Sequence, residues 1–152
     1  MKDNTEEKNI VVNRKARHEY AILQSYEAGI VLIGTEVKSL RLGKANLVDS
    51  YASLKNGEVW LNSAHISNYD QGSYNNADPA RIRKLLLNHN EIRKIATKIK
   101  EKGLTLIPLR LYFKDGRVKV EIALAKGKKV YDKREDIAKK DFQRSEERKI
   151  KY

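Results

Sequence analysis

Residues 105–125 read TLIPLRLYFKDGRVKVEIALA and carry the strongest fold signal in the chain. The Asp115-Gly116 pair predicts a two-residue hairpin turn between two strands. Closing that turn stacks apolar pairs on one face, namely Phe113 with Val118, Leu111 with Val120, Leu109 with Ile122 and Ile107 with Leu124. The other face pairs Tyr112 with Lys119 and Arg110 with Glu121. Pro108 has no N–H to donate and predicts an edge position or a bulge.

Further strands flank this hairpin. Asn56-Gly57 predicts a second hairpin, in which Lys55 meets Glu58, Leu54 meets Val59 and Ala52 meets Leu61. Residues 20–33 contain two more apolar runs, separated near residues 27–29. Residues 83–87 predict a short sixth strand.

Two helices are predicted between the strands. Asn88 begins the longer one in a capping box with Glu91, and Gly103 ends it. Leu87 and Ile92 form the flanking hydrophobic staple. Its apolar stripe consists of Ile92, Ile95, Ala96 and Ile99. A shorter helix is predicted from a cap at Thr35 to Gly43, with Val37 and Leu40 facing inward.

These elements indicate a mainly β protein with two to three helices. Our first choice is an OB-like closed antiparallel β-barrel of about six strands. A split α+β sandwich fits the same pattern nearly as well, so periodicity alone leaves the topology open. We expect a flexible N-terminal arm over 1–9, the domain over 10–127 and a basic C-terminal tail over 128–152. In that tail 16 of 25 residues are charged. Because too few apolar side chains remain to form a core, we expect the tail to be disordered in the free protein.

The charge balance favours an anionic partner. The chain has 152 residues, with 32 Lys and Arg against 20 Asp and Glu, for a net charge of +12. Solubility needs a net charge of only about 2–8, so nucleic acid is the first candidate. There is no Cys, which excludes disulfides and thiol chemistry. No stretch approaches the roughly 20 apolar residues of a membrane helix, and no signal core precedes the domain, so we expect a cytoplasmic protein without a membrane partner.

A search for catalytic chemistry finds little. His18, His65 and His89 lack ligand spacing, so we expect no metal site and no cofactor. Gly127-Lys128-Lys129 lacks the residues that precede a phosphate-binding loop. The acids after residue 131 alternate with Lys133 and Arg134, as in a solvated segment. The residues therefore give little support for an enzyme.

Clustered cations are the candidate binding residues, because cations bind phosphates and aromatic rings stack on unpaired bases. The first cluster comprises Arg14, Lys15 and Arg17, beside Asn13, His18 and Tyr20. Three further cations follow at a spacing of three: Lys38, Arg41 and Lys44. The remaining candidates are Arg83, Lys84, Lys126, Lys128 and Lys129, with Arg81 nearby. Composition does not decide between RNA and DNA.

At these clusters the chain resembles the small protein B family, the SsrA-binding proteins of bacterial trans-translation. The matching stretches are NRKARHEY (13–20), EAG (27–29), GTEVKSLRLGKAN (34–46), RKLLLN (83–88) and KGLTLIPLRLYFKDGRVKVEIALAKGKKVYDKR (102–134). They keep the family's order from residue 13 to residue 134, and they are long and specific.

The resemblance implies an OB fold with flanking helices and a non-enzymatic adaptor. Its partners would be the tRNA-like part of transfer-messenger RNA and the stalled ribosome. There the complex would enter an empty decoding centre, with the tail helical in the empty mRNA channel among ribosomal RNA. The nascent chain is then tagged and the ribosome released. We expect a monomeric protein in a one-to-one RNA complex. The alternatives are a general OB-fold binder of RNA or ribosomes and, from another class, a nuclease or nucleotidyl-transfer enzyme.

The resemblance also assigns residues. Asn13, Glu27 and Leu86 match the family's RNA face, and Lys38, Ser39, Arg41, Lys44 and Asn46 lie in its basic helix and loop. An acid such as Glu27 would accept from a ribose hydroxyl or a base amine. The start of the ribosome-directed tail matches Tyr131, Asp132, Lys133 and Arg134. Many members have His where Tyr131 stands; stacking on a base survives that change, whereas a role for an imidazole does not.

Overall fold

The computed structural model describes residues 6–69 and 76–128. Three helices and nine strands occupy these ranges. The elements are β1 (Glu7–Val12), α1 (Arg14–Glu19), β2 (Tyr20–Ile30), α2 (Gly34–Arg41), β3 (Ala45–Asn46), β4 (Tyr51–Lys55), β5 (Glu58–Asn62), β6 (His65–Ile66), β7 (Arg83–Leu86), α3 (His89–Lys102), β8 (Thr105–Lys114) and β9 (Arg117–Gly127). No helix in these ranges is long and apolar enough to cross a membrane.

Six antiparallel strands pair in a closed ring, in the order β8, β4, β5, β7, β2 and β9, with β9 returning to β8. The seventh strand, β1, pairs with the second half of β8, while β4 pairs with its first half. The short strands β3 and β6 form a separate pair. The ring confirms the predicted mainly β, OB-like fold, and closure leaves its strands few unpaired edges.

The two hairpins have the predicted registers beside their turns. Lys55 pairs with Glu58 and Ala52 with Leu61 at the first turn. Phe113–Val118, Leu111–Val120, Tyr112–Lys119 and Arg110–Glu121 are likewise all confirmed at the second. In each turn, both central residues adopt positive φ, as a type I′ turn requires.

Beyond Arg110 the predicted register of the second hairpin is wrong. The pairing shifts by one residue between Pro108 and Arg110, so that Pro108, not Leu109, lies opposite Ile122. Ile107 then pairs with Ala123 instead of Leu124. The extra residue is a β-bulge beside the proline, and the carbonyl oxygen of Leu109 accepts the backbone N–H of Asn13 at 2.7 Å.

The bulge divides the apolar side chains between two cores. Leu111, Val120, Ile122 and Leu124 lie in the ring interior, where Ile95 of α3 packs against them. Ile107 and Leu109 point to the outer face, because a one-residue slip exchanges the faces of a strand. There they pack with Ala123 and Ala125 beneath Ala16 of α1. A second, smaller core therefore seats α1 on the outside of the ring.

Three other predictions need correction. The two runs in residues 20–33 form one strand, β2, which spans the predicted break because Glu27 pairs with Glu121 on β9. Residues 7–9 belong to β1 and pair with β8, so the predicted arm over 1–9 is too long. The short helix α2 begins at Gly34, and the Glu36 carboxylate accepts the N–H of Ile33 at 3.0 Å where a cap at Thr35 was predicted.

The longer helix, α3, confirms its prediction. The Asn88 N–H donates to Glu91 at 3.4 Å, and Gly103 ends the helix in the left-handed conformation. Ile95 is fully buried, and Ile92, Ile99 and Leu87 pack against the ring interior. The strand predicted over 83–87 is present as β7.

Candidate nucleic-acid interface

The Asn13 side chain connects α1, which carries the first basic cluster, to the ring. Its side-chain oxygen accepts the N–H of Ala16 and so begins α1. Its Nδ2 donates to the carbonyl oxygens of Leu47, at 3.2 Å, and Pro108, at 3.0 Å. The residue is 5% exposed. All three side-chain bonds are made within the protein, so the structure places Asn13 beneath the surface that it was predicted to form.

The cations of α1 lie on the surface. Arg14, Lys15, Arg17 and His18 are all exposed. Lys15 reaches Asp49 at 3.3 Å and Arg17 reaches Glu121 at 3.7 Å, in pairs where solvent screening is strong. These weak pairs leave the cations available to a phosphate.

The end of β9 meets the end of α1. Tyr20 pairs with Gly127, and a Cβ atom built on Gly127 would stand 3.7 Å from the Tyr20 ring. Lys126 and Lys128 are exposed on either side of that glycine. The structure therefore brings together two predicted clusters that are over 100 residues apart in the chain. The other predicted residues at this end, Lys129, Tyr131, Asp132, Lys133 and Arg134, lie outside the described residues, as does the rest of the tail.

The second basic surface lies at α2 and the segment after it. Lys38, Arg41, Lys44 and Asn46 are exposed. Lys38 Nζ lies 5.5 Å from the centre of the Tyr69 ring, a cation–π distance. The prediction that Ser39 lies on the surface is wrong, because α2 directs its side chain inward and the residue is fully buried. Asn13 joins this surface to α1 through its bond to Leu47, one residue beyond Asn46.

Arg83 is the clearest error among the predicted binding residues. It is 0% exposed, and its guanidinium contacts Glu36 at 2.6 Å and donates to the carbonyl oxygens of Ala64 and Pro79. The period of two along β7 places Arg83 on the same inward side as Leu85, and this alternation could have been recognised in the sequence. Lys84 faces outward and pairs with Glu58 at 2.8 Å.

The buried partner of Arg83 is an ionised acid. Burial by itself raises the pKa of Glu36, but hydrogen bonds from Arg81, from the Ile33 N–H and from Arg83 more than offset it. The pKa of Glu36 therefore lies below its usual value. The group holds α2 to β7 and the loop before it, so its role is to support the α2 surface.

Glu27 lies on β2 of the ring and Leu86 on β7. Leu86 is 50% exposed and stands against Gly29, where an added Cβ would come within 3.3 Å of the leucine Cβ. A cleft of about 300 Å³ opens beside Leu86, between β2, β7, α2 and the second hairpin. The Glu27 carboxylate is partly exposed and accepts from Tyr112 and Lys114.

A network of polar side chains links Glu27 to α1, and it was not predicted from the sequence. Arg110 lies at its centre, donating to Glu7 at 2.6 Å and to Glu121 at 3.4 Å, and its guanidinium covers the Tyr112 ring at 3.9 Å. Glu121 also meets Arg17 of α1. The alternation in residues 110–114 placed these side chains on the polar face, but gave no reason to regard them as functional.

Fold and surface together define a small OB-like domain with exposed cations on α1, α2 and the end of β9, an arrangement suited to the nucleic-acid backbone. A family model described as SmpB protein matches residues 10–152, and the chain belongs to that family.

Individual relatives agree with the family match. The chain is 64% identical over 138 residues to the SsrA-binding protein of Desulforudis audaxviator, which covers 91% of this chain and 90% of that one. It is 60% identical over 147 residues to the SsrA-binding protein of Acetivibrio thermocellus, covering 96% of each. A solved structure described as "tmRNA-SmpB: a journey to the center of the bacterial ribosome" matches with a TM-score of 0.68 at 52% identity, over 81% of this chain and 87% of that chain.

Proposed function

We propose that this chain binds the tRNA-like part of transfer-messenger RNA and delivers it to stalled ribosomes for trans-translation. The observation that carries the proposal is identity of 60% or more to SsrA-binding proteins over at least nine-tenths of both chains. The description of the similar solved structure names tmRNA, SmpB and the bacterial ribosome.

The exposed cations provide the affinity in this proposal. The phosphates are contacted by Arg14 and Arg17 on α1, Lys38 and Arg41 on α2, and Lys126 on β9. Each phosphate that a cation neutralises releases counterions, and this release favours binding. Asn13 acts indirectly by holding α1 and its connection to the α2 surface. Arg83 and Ser39 are buried, and in this proposal they do not contact the RNA.

The protein acts as an adaptor and not as an enzyme in this proposal. One copy binds one RNA in the cytoplasm, where ribosomes translate. The segment from Tyr131 to Arg134 and the residues after it enter the decoding centre and the mRNA channel once the ribosome is reached.

Sequencing the RNA that copurifies with the protein from its own cells tests the proposal. One dominant transfer-messenger RNA supports it, whereas a mixture of ribosomal and messenger fragments indicates a general RNA binder and contradicts it. A binding titration with the isolated tRNA-like part, in the presence of excess elongator tRNA, gives the matched specificity control. Equal competition by the tRNA also contradicts the proposal.

A single variant pair tests the assignment of residues. Arg41→Ala removes an exposed cation from the α2 surface, while Lys55→Ala removes one from β4 at the other hairpin. We expect the first to weaken RNA binding and the second to leave it unchanged. Equal effects would mean that net charge alone, and not the α2 surface, determines the affinity.

A further inference from the structure

Tyr112 makes a contact that RNA binding by surface cations does not explain. The residue is 1% exposed although it lies on the outer face of the ring. Its hydroxyl donates to Oε2 of Glu27 at 2.7 Å. This hydrogen bond satisfies the buried hydroxyl, and it connects a buried phenol to an exposed acid on the polar face.

The contact reaches across a whole strand. Tyr112 lies on β8, opposite Lys119 of β9, and Glu27 lies on β2, opposite Glu121 of β9. The Tyr112 side chain must therefore pass over β9 to meet Glu27, and neighbouring strands are about 4.8 Å apart. A phenol combines the necessary length with a polar end.

Arg110 holds the ring from above. Its guanidinium lies 3.9 Å from the ring centre, within cation–π distance. Its own position is determined by Glu7 and Asn9 of β1, at 2.6 Å and 2.7 Å. The hydroxyl of Tyr112 is consequently held in place before any ligand arrives.

One oxygen of Glu27 is occupied and the other is open. Lys114 Nζ donates to the same Oε2 at 3.1 Å. Within residues 6–69 and 76–128, no hydrogen bond or ion pair reaches Oε1. An ionised carboxylate only accepts hydrogen bonds, so Oε1 can receive an N–H or O–H group but repels a phosphate.

We propose that Tyr112 and Lys114 are positioning residues, which hold Oε2 of Glu27 so that Oε1 accepts a hydrogen bond from a base amino or imino group, or a ribose 2′-hydroxyl, of the bound RNA. The acceptor role of Glu27 is the one expected from the sequence, and the inference, which rests on the proposed function, adds the two residues that fix its position. It also assigns a role to an acid that cannot itself bind phosphate.

The environment of Glu27 includes charged groups from three strands. Lys119 and Glu121 come from β9, Arg110 and Lys114 from β8, and Glu7 from β1. The hydrogen bond from Tyr112 lowers the pKa of Glu27 most, and Lys114 and Lys119 lower it further against the opposing effect of burial. Removing the Tyr112 hydroxyl should therefore raise the pKa of Glu27.

A matched pair of tyrosine variants tests the inference in the free protein. Tyr112→Phe removes the donor to Glu27. Tyr26→Phe removes a buried hydroxyl on β2 that has no hydrogen-bond partner among the described residues, and it serves as the control. Carboxyl-carbon NMR titration of Glu27 should show a higher pKa in Tyr112→Phe and no change in Tyr26→Phe. An unchanged Glu27 pKa in Tyr112→Phe overturns the inference.

A double-mutant cycle tests the link to RNA. In the otherwise wild-type protein, Tyr112→Phe should weaken binding of the tRNA-like RNA by about tenfold. Combined with Glu27→Gln, the same change should add almost nothing, because the two residues act as a unit. Fully additive losses mean that Tyr112 acts by general stability and overturn the inference. Lys114→Met repeats the cycle with a side chain that leaves the β8 core untouched.

The outcomes separate this inference from the proposed function. Failure of the wild-type protein to bind the tRNA-like RNA contradicts the proposed function, and the Glu27 titration can then still show the Tyr112 contact. Normal wild-type RNA binding with additive losses retains the proposed function and rejects the positioning role.

Discussion

Replacing Asn13 by Ala should lower the free energy of unfolding by about 3 kcal/mol. The Asn13 side chain makes three hydrogen bonds at a buried position, one at the start of α1 and two to carbonyl groups 34 and 95 residues away. Losing an N-cap oxygen typically costs about 1 kcal/mol. Each of the two bonds from Nδ2 contributes about 1 kcal/mol, and their carbonyl acceptors are left buried without this donor.

The measurement is urea unfolding followed by circular dichroism, paired with RNA affinity under conditions where the variant is folded. Asn46→Ala is the matched control for the unfolding measurement, because Asn46 is exposed and, among the described residues, its side chain accepts only the N–H of Val48. Its unfolding free energy should change by less than about 0.5 kcal/mol. For Asn13→Ala we expect weaker RNA binding as well, because α1 and its cations lose their attachment to Leu47 and Pro108.

A second substitution separates the two ends of the Asn13 side chain. Asn13→Asp keeps an oxygen for the Ala16 N–H but turns an acceptor toward two carbonyl oxygens. It should be at least as destabilising as Asn13→Ala at neutral pH. If Asn13→Ala instead unfolds within about 0.5 kcal/mol of the wild type yet loses RNA affinity, Asn13 touches the RNA directly and the reasoning is refuted.

Three further outcomes follow from the other groups. Glu36→Gln should cost about 3–5 kcal/mol at neutral pH because it leaves Arg83 buried without a countercharge. Since the folded pKa of Glu36 lies below the usual 4.5, its contribution is present above that pH and lost as pH falls through the folded pKa, so urea unfolding of variant and wild type should converge in acid. Lys38→Ala should flatten the log affinity against log salt slope by about 0.7–0.9 units, and an unchanged slope places Lys38 off the RNA. Deleting residues 131–152 should leave binding to free RNA intact, because the α1 and α2 cations remain, but should abolish tagging on stalled ribosomes; full tagging by the truncated protein would show that the tail is dispensable.

The exposure of the candidate binding residues was predicted best where it follows from a local sequence pattern. Lys38 and Arg41 sit at a helical spacing that could be recognised in the sequence, and both are exposed. Ser39 lies between them in the same motif but is turned into the core. Arg83 belongs to a basic run, yet its strand faces the ring interior and it finds Glu36, 47 residues away. A run of cations indicates a binding surface, but which of its members reach that surface depends on the packing of the element.

Sequence alone determined the local features of this protein. Local residue preferences, which act over a few positions, specify the turns at Asn56-Gly57 and Asp115-Gly116 and the ends of α3. The net positive charge follows from the composition alone. Only the tertiary structure decided that the bulge at Pro108 sends Leu109 outward to seat α1, that β1 joins β8, and that Tyr112 reaches Glu27 across β9. These features depend on contacts between residues that are far apart in the chain and become neighbours only when the ring closes, so no local periodicity specifies them.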